Sequence, residues 1–192
     1  MLSAIIATHE SERSLVPTLA ALVPAAATGL LAGVVVADAG SHDATAEVAE
    51  IAGCRFMTSA QPLGARLKIA AAGTRSPWLL FLQAGVIPQA GWIEAAERFI
   101  QKTDMLEGAA YAAVFRPPGP SDYLRPSLFE IVGLLRAAFG GAPKPEQGLL
   151  IARRFYDTIG GHPAEAEAEA NLLRRLGRHR MVMLPVRVSV AS

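Results

Sequence analysis

Short apolar runs alternate with longer amphipathic stretches through the first hundred residues of the chain. The runs have the length of buried β-strands, and they are Leu2–Ala7, Val34–Ala37, the weaker Arg55–Thr58 and Pro77–Gln83. The stretches between and after them have helical spacing and predict helices from Ser11 or Ser14 to about Val23, and over Ala44–Ala52, Leu63–Thr74 and Gln89–Lys102. Strands that alternate with helices in this way form βαβ units, which require a parallel sheet with helices on both faces.

The second half of the chain is less regular. Its pattern predicts, in order, a strand within Met105–Phe115, a helix over Tyr123–Phe139 that is apolar nearly all round, a short strand over Gly148–Ala152, a helical turn over Phe155–Ile159, a helix over Ala164–Leu176 and one or two strands within Met181–Val190. Loops rich in Gly and Pro separate these elements at Arg116–Pro120 and Gly140–Gln147. A chain of 192 residues is long enough for one domain with a proper core and short for two.

Three polar loops follow the carboxyl ends of the predicted parallel strands, which is where ligands bind in such sheets. These loops are Thr8–Ser11, Asp38–Asp43 and Gln83–Pro88. The Asp38 carboxylate stands at a strand end, where it is able to accept hydrogen bonds from a nucleobase N–H or a sugar hydroxyl. An Asp in a loop also caps its own turn, so both roles stay open for this residue.

The charge is nearly balanced, with 18 Lys and Arg against 17 Asp and Glu and a net charge of +1, and 52% of the residues are hydrophobic. Disorder is excluded, because disordered chains combine low hydrophobicity with high net charge. The balance also argues against binding of nucleic acid, since that affinity comes largely from neutralising phosphates, although it is compatible with a local basic patch.

A single cysteine, Cys54, allows neither an intrachain disulfide nor a thiolate metal cluster. The apolar run Leu2–Thr8 is too short for the core of an export signal and is followed at once by charged residues, so we expect no export. We therefore expect a cytoplasmic protein. The stretch Leu15–Ala37 carries no charge and approaches the length of a membrane span. It contains Pro17 and Pro24 and changes halfway from helix-like to β-branched composition, which predicts helix, turn and buried strand.

Five segments carry motifs in a recognisable order. Ser3–Glu12 resembles S-V-I-I-P-T-x-N-E, Val35–Thr45 resembles V-V-D-G-G-S-T-D-G-T, Phe81–Pro88 resembles F-L-(H/D)-A-D-x-x-x-P, Arg153–Pro163 resembles R-R-x-x-F-x-x-I-G-G-F-P, and Leu173–Arg178 resembles the start of L-x-R-R-L-x-R-x-G-R. Together they resemble the family 2 glycosyltransferases, which transfer sugars from nucleotide diphosphates. The resemblance implies an α/β protein of the GT-A type, with a Rossmann-like, mostly parallel central sheet and helices on both faces. It also implies a single domain over residues 1–192, with a nucleotide-binding half at 1–103 and an acceptor-side half at 104–192.

The resemblance implies nucleotide-binding residues in the first half of the chain. They are Thr8, Glu10 and Asp38 for the base or ribose, and Gln83. Two basic residues of the predicted third helix, Arg66 and Lys68, are candidates for binding the diphosphate, and Lys68 stands close to where the family commonly keeps an Asn. Glu10 stands where the family usually has Asn, so contact there is expected to be altered. Arg66 and Lys68 would neutralise leaving-group charge as a metal does, or they form an exposed basic helix face.

Two departures from the family pattern fall at the centres of its chemistry. The family binds Mn²⁺ or Mg²⁺ through the last Asp of its third motif, but this chain has Gln83, Ala84 and Gly85 there, so we expect the metal site to be lost. The family's base is the Asp after a Glu, but here Glu169 precedes Ala170, whose methyl group cannot take a proton. Glu169 itself points about 100° away on the helix and is the remaining catalytic candidate.

The acceptor side is expected to include Glu146, Gln147 and His162, by their positions in the late motifs. Two functions remain open: a transferase using a UDP- or GDP-type sugar, or an inactive GT-A-like domain that binds nucleotide or protein. A nucleotidyltransferase is disfavoured because no Gly-rich basic loop follows the first strand. The helix over Tyr123–Phe139 either contacts the inner face of a membrane or a second chain, or packs within its own fold.

Overall fold

The structure is a computed structural model that describes residues 1–106, 110–119 and 143–191. Its strands are β1 Leu2–Thr8, β2 Leu31–Asp38, β3 Arg55–Thr58, β4 Trp78–Gln83, β5 Val86–Pro88, β6 Ala112–Arg116, β7 Leu149–Ala152 and β8 Met181–Val190. Its helices are α1 Glu12–Ala27, α2 Thr45–Ile51, α3 Leu63–Ala72, α4 Trp92–Met105, α5 Arg153–Thr158 and α6 Ala168–Leu176.

The described strands form one mixed sheet in the order β3-β2-β1-β4-β7-β6-β8-β5. Pairing is parallel between β1 and β2, β1 and β4, β2 and β3, and β6 and β8, and antiparallel at the other three junctions. Right-handed crossovers put α1 and α2 on one face and α3 on the other, because the chain reverses its direction across the sheet after β3. The mostly parallel α/β sheet predicted from the sequence is confirmed.

The central strands are apolar because helices cover them from both sides. Leu79 and Leu80 in β4 and Ile5 and Ile6 in β1 have no exposed surface, and Trp78 is buried where β4 begins. Alternation of polar and apolar residues is absent from such strands, which explains the continuous apolar runs in the sequence.

Several predicted boundaries were wrong. Helix α1 continues four residues past Val23, through Pro24, because Leu22 and Ala25 are buried against the sheet and outweigh the lost backbone bond. The strand expected within Met105–Phe115 begins only at Ala112, since α4 extends to Met105. The residues from 164 to 167 lie outside α6, and β5 was not predicted at all.

No helix among the described residues is long and apolar enough to cross a membrane. Leu15–Ala37 folds as helix, turn and strand, as its composition predicted. The helix expected over Tyr123–Phe139 lies outside the described residues.

The strand ends lie along two opposite sides of the sheet, called here its C-terminal edge and its N-terminal edge. At the C-terminal edge, β1, β2 and β4 end and β7 begins. At the N-terminal edge, β1 to β4, β6 and β8 begin and β7 ends, as the pairs Trp78 with Ala152 and Ala112 with Met181 show.

Candidate functional site

Asp38 ends β2 at the C-terminal edge, and its carboxylate is satisfied by its own chain. It accepts hydrogen bonds from Thr8 Oγ1 at 2.8 Å, Ser41 Oγ at 2.6 Å, and the backbone N–H groups of Gly40 and Ser41 at 2.7 Å each. Burial by itself raises the pKa of Asp38, but the hydrogen bonds from Ser41, Thr8 and Gly40 outweigh it and hold the pKa below its usual value. The carboxylate is 1% exposed and holds the β2–α2 loop in one shape.

The β1–α1 loop is tied to the β2–α2 loop through Glu10. This residue has a left-handed φ of +47°, which is uncommon for a side chain with a Cβ. Its N–H donates to Ser41 Oγ at 2.8 Å, and its Oε1 accepts from the His42 N–H at 2.9 Å. Glu10 therefore fixes one loop against the other, and its side chain remains half exposed at the rim.

Arg66 lies beneath these loops on α3 and is 9% exposed. Its Nη1 donates to the carbonyls of Thr8 at 3.3 Å and Ala37 at 3.0 Å. These two residues lie at the C-terminal ends of the neighbouring strands β1 and β2. Its Nε is buried and has no hydrogen-bond partner among the described residues. Burial lowers the pKa of Arg66, and the charge of Asp38 opposes that shift.

Lys68 does not join this cluster. It lies two residues after Arg66 on α3, about 200° round the helix, and its side chain is exposed. Of the two basic residues expected at the diphosphate, the structure places only Arg66 beside Asp38.

Gln83 and Glu169 meet across the C-terminal edge, although they are far apart in sequence. Gln83 Nε2 donates to Glu169 Oε2 at 2.5 Å. Glu169 is 8% exposed, and burial raises the pKa of its carboxyl, the bond from Gln83 opposes the rise, and the charge of Glu146 adds to it. The more exposed Ala170 points elsewhere, so Glu169 is the side chain of this pair that faces β4.

His162 and Gln147 lie on the same side as Glu169 but differ in their surroundings. His162 is 2% exposed, its Nδ1 shares a hydrogen bond of 2.8 Å with the Tyr156 hydroxyl, and burial lowers its pKa to about 3. His162 and Glu169 line one cavity of about 10 Å³. Gln147 uses both ends of its amide on backbone, donating to the Phe115 carbonyl and accepting from the Lys144 N–H, so it supports the loop before β7.

Gly85 occupies the position where the sequence motif predicts a metal-binding Asp. Its φ is +93°, its N–H donates to Thr18 Oγ1, and its carbonyl accepts from the Ala191 N–H. A Cβ built at Gly85 would lie 3.3 Å from the Ala191 carbonyl oxygen and 3.5 Å from Ser14 Cβ. A side chain there would begin by pointing at α1 and the end of β8 rather than at Glu169.

The described residues contain no group of three or more His, Cys, Asp or Glu side chains able to hold a metal ion. Glu146 is engaged with Lys144, 3.6 Å away, and the Gln83 amide donates to Glu169. This donor set does not match the carboxylate-rich oxygen shell that Mg²⁺ and Mn²⁺ prefer.

The structure thus makes two clusters at one edge: Asp38 with Thr8, Glu10 and Arg66, and Glu169 with Gln83, Glu146 and His162. Sequence reasoning missed Ser41, which gives Asp38 two of its four bonds, and Tyr156, which holds His162. The Ser41 contact had a signal in the D-A-G-S order of a tight turn, whereas the Tyr156 contact had none.

No model of a known protein family matches the sequence, and no curated protein matches it. Solved structures do match the fold. Glucosyl-3-phosphoglycerate synthase from Mycobacterium tuberculosis, in complex with Mn²⁺, UDP and glucosyl-3-phosphoglycerate, has a TM-score of 0.68 at 15% identity, over 100% of this chain and 72% of that one. The same enzyme with Mn²⁺ and UDP-glucose has a TM-score of 0.67 at 14% identity, over 100% and 71% of the two chains.

A second enzyme, TarS from S. aureus, matches 98% of this chain and 60% of its own solved chain, with a TM-score of 0.68 at 16% identity. These proteins are glycosyltransferases with the GT-A fold, and this chain has that fold, as the sequence motifs predicted. At this level of sequence identity, structural similarity shows a shared fold and no more.

Proposed function

We propose that this protein binds a nucleoside diphosphate or its sugar ester at the C-terminal edge, between the loops that follow β1 and β2. The observation that carries the proposal is the burial of Arg66 beside Asp38, at the place where parallel sheets take their ligands. Burying a guanidinium with an unpartnered Nε costs free energy and adds little stability to a fold. Binding of an anionic ligand would explain why this protein has an arginine at this buried position.

The solved structures support the ligand class. Glucosyl-3-phosphoglycerate synthase has been solved with UDP and with UDP-glucose, together with Mn²⁺ or Mg²⁺. In this chain the half at 1–103 would supply Asp38, Thr8, Glu10 and Arg66, and the half at 104–192 would supply Glu169, Glu146 and His162.

Sugar transfer to an acceptor hydroxyl is the activity that the second cluster would perform. Glu169 is the carboxylate that would take the proton of the acceptor, because burial raises its pKa above the usual value and makes it a stronger base, and Gln83 fixes its orientation. Charge on the departing diphosphate would be met by Arg66, without a metal ion.

A nucleotide-binding domain without transfer is the second candidate, and Gly85 favours it. A Cβ at the position that should carry the metal-binding Asp would point toward Ser14 of α1 and the Ala191 carbonyl. Replacing Gly85 by Asp would place a side chain at a left-handed φ and close to backbone, so restoring the motif would strain the turn rather than rebuild a metal site.

Calorimetric titration with UDP and with GDP, each with and without Mn²⁺, tests the shared premise of both candidates. We expect binding of one nucleotide that is unchanged by Mn²⁺ and at least about tenfold weaker in Arg66→Gln, because the ligand loses a charge-assisted hydrogen bond. Asp104→Asn, at the opposite edge of the sheet, is the control and should bind as the wild type does. Absence of binding by either nucleotide to folded protein would refute the proposal.

Nucleotide-sugar turnover separates the two candidates. A transferase, or a hydrolase acting on water, should release nucleotide from UDP-glucose or its GDP counterpart, and Glu169→Gln should slow the release by about 10²- to 10⁴-fold, the usual worth of a general base. Binding with no release in the wild-type protein would establish the binding domain.

A further inference from the structure

Arginine residues gather at the N-terminal edge of the sheet, away from the candidate site. Four of the strands that meet this edge have arginines at or next to their ends: Arg55 begins β3, Arg75 precedes β4, Arg154 follows β7, and Arg178 and Arg180 precede β8. The strand register places these positions along one edge, because Trp78 pairs with Ala152 and Ala112 pairs with Met181.

These five arginines are exposed, and none of them forms an ion pair with a described residue. Arg55 donates to the Gly73 carbonyl, and Arg180 lies over the Phe155 ring at 5.9 Å. Their charges therefore face solvent rather than neutralise the protein. The described acidic residues near this edge are fewer, and they are Glu50, Asp104 and Asp157.

The C-terminal edge has charges of both signs. Its acidic side chains are Glu10, Glu12, Asp38, Asp43, Glu146 and Glu169. Basic side chains lie there too, among them Arg66, Arg116 and Lys144. The N-terminal edge differs in carrying an excess of exposed positive charge. A basic field at one end of the molecule attracts an anionic partner there and leaves the other end unaffected.

Exposed apolar side chains lie among these arginines. Leu106 follows α4, whose last turn lines a cleft of about 410 Å³ with Arg154 and Trp78. Tyr111 precedes β6, and Val182 and Met183 follow Arg180 in β8; together with Leu106 they are between 38% and 48% exposed. Transfer of apolar side chains out of water lowers the free energy. The acyl region of a lipid surface provides an apolar environment for them, whereas a nucleic-acid backbone does not.

We propose that the N-terminal edge docks onto an anionic lipid surface. Arginine is suited to this surface because its planar guanidinium binds phosphate through two hydrogen bonds while its stem lies along apolar surface. Tyr111 has the apolar ring and polar tip that favour the interface of a bilayer. The contact is peripheral and leaves the C-terminal edge facing the aqueous phase.

Co-sedimentation with lipid vesicles, in the absence of nucleotide, tests the proposal independently of the candidate site. We expect the protein to bind vesicles of phosphatidylcholine with about one third phosphatidylglycerol, and not vesicles of phosphatidylcholine alone. The paired change Arg178→Glu and Arg180→Glu should weaken binding about 30-fold or more, because each arginine near an anionic surface contributes about fivefold. Raising the salt concentration should also weaken binding of the wild-type protein to these vesicles, because salt screens the attraction between exposed charges.

Two further variants make the result specific. Arg13→Glu with Arg98→Glu reverses the same number of exposed charges elsewhere and should bind as the wild type does. Val182→Ser with Met183→Ser keeps every arginine and should weaken binding several-fold, because the apolar contribution is lost.

Three results would overturn the proposal. They are absence of binding to anionic vesicles, equal loss in the Arg13 and Arg98 control, and retention of full binding in the serine pair with equal affinity for soluble polyphosphate. The last result would identify a site for free polyanions rather than for lipid.

Discussion

His162 is an imidazole held almost wholly out of water, and burial lowers its pKa to about 3. Above pH 6.5 the ring is neutral in both the folded and the unfolded chain, so it has no effect on stability there. As the pH falls below 6.5, the unfolded chain takes up a proton that the folded chain does not. The free energy of unfolding should therefore decrease, by about 2 kcal/mol between pH 7 and pH 5.

Urea unfolding of the wild-type protein and of His162→Phe at both pH values measures this contribution. Phe removes the titrating group and keeps an aromatic ring beside Phe81, and the Tyr156 hydroxyl still accepts from the backbone N–H of position 162. Between pH 7 and pH 5, the decrease in the free energy of unfolding should be about 2 kcal/mol smaller in the variant than in the wild type. An equal loss in both proteins would show that the ring is protonated in the folded state.

Individual site residues were predictable to the extent that their role follows from local sequence. Asp38 was placed correctly at the end of a strand, because a carboxylate after an apolar run and before A-G-S has few other positions available. Its role in holding the turn is seen only from the four donor atoms around it, and its role in binding a ligand stays a prediction. The bond between Gln83 and Glu169 joins residues 86 positions apart, and no local pattern encodes it.

Helix α3 packs closely at Gly64 against the first residue of α6 and the residues before it. A Cβ at this position would lie 1.7 Å from the Pro163 carbonyl oxygen and 2.5 Å from the Ala168 Cβ. Gly64→Ala should therefore push α6 away from α3 and destabilise the protein by about 1–3 kcal/mol, although alanine favours helix elsewhere. Because α3 carries Arg66 and α6 carries Glu169, the same change should loosen both halves of the candidate site.

Gly33→Ala is the matched control, since a Cβ there would meet no atom within 4 Å. Its melting temperature should stay within about 2 °C of the wild type, which corresponds to a change of about 0.5 kcal/mol or less. Similar melting temperatures for the two alanine variants would contradict the close packing of α3 on α6.

Elements whose own residues show a clear hydrophobic pattern were predicted from the sequence. Elements that form only through pairing or packing with residues far along the chain were not. β1, β4 and the second half of β2 are apolar on both faces, and their apolar runs are visible in the sequence without any knowledge of the fold. β5 is three residues long and exists because β8 pairs with it in antiparallel register. Helix α6 begins later than its Ala and Glu composition predicts, since the preceding residues are drawn to α3 through the bond from Gly64 N–H to the Glu165 carbonyl.

Across the whole molecule, stability is expected to fall from the middle of the sheet toward β3. β1 is paired on both sides and buried along nearly its whole length, whereas β3 is an edge strand of four residues that are half or fully exposed. Native-state hydrogen exchange should find the slowest amides in β1 and β4 and exchange in β3 at least about tenfold faster. Equal protection across these strands would mean that the sheet opens only by global unfolding.

During synthesis, β6 and β5 are made well before β8, the strand that pairs with both of them. β8 completes the pairing of β6 and is the partner of β5, but it is made roughly 65 residues after β6 and roughly 100 after β5. At the usual pace of translation, the ribosome takes roughly 3–20 s to reach it, and for that time strand edges that are paired in the finished protein stand open. Open edges of this kind recruit other chains. The nascent chain is therefore more exposed to aggregation than the finished protein is, and slower translation after β6 should lower the folded yield without changing the equilibrium stability.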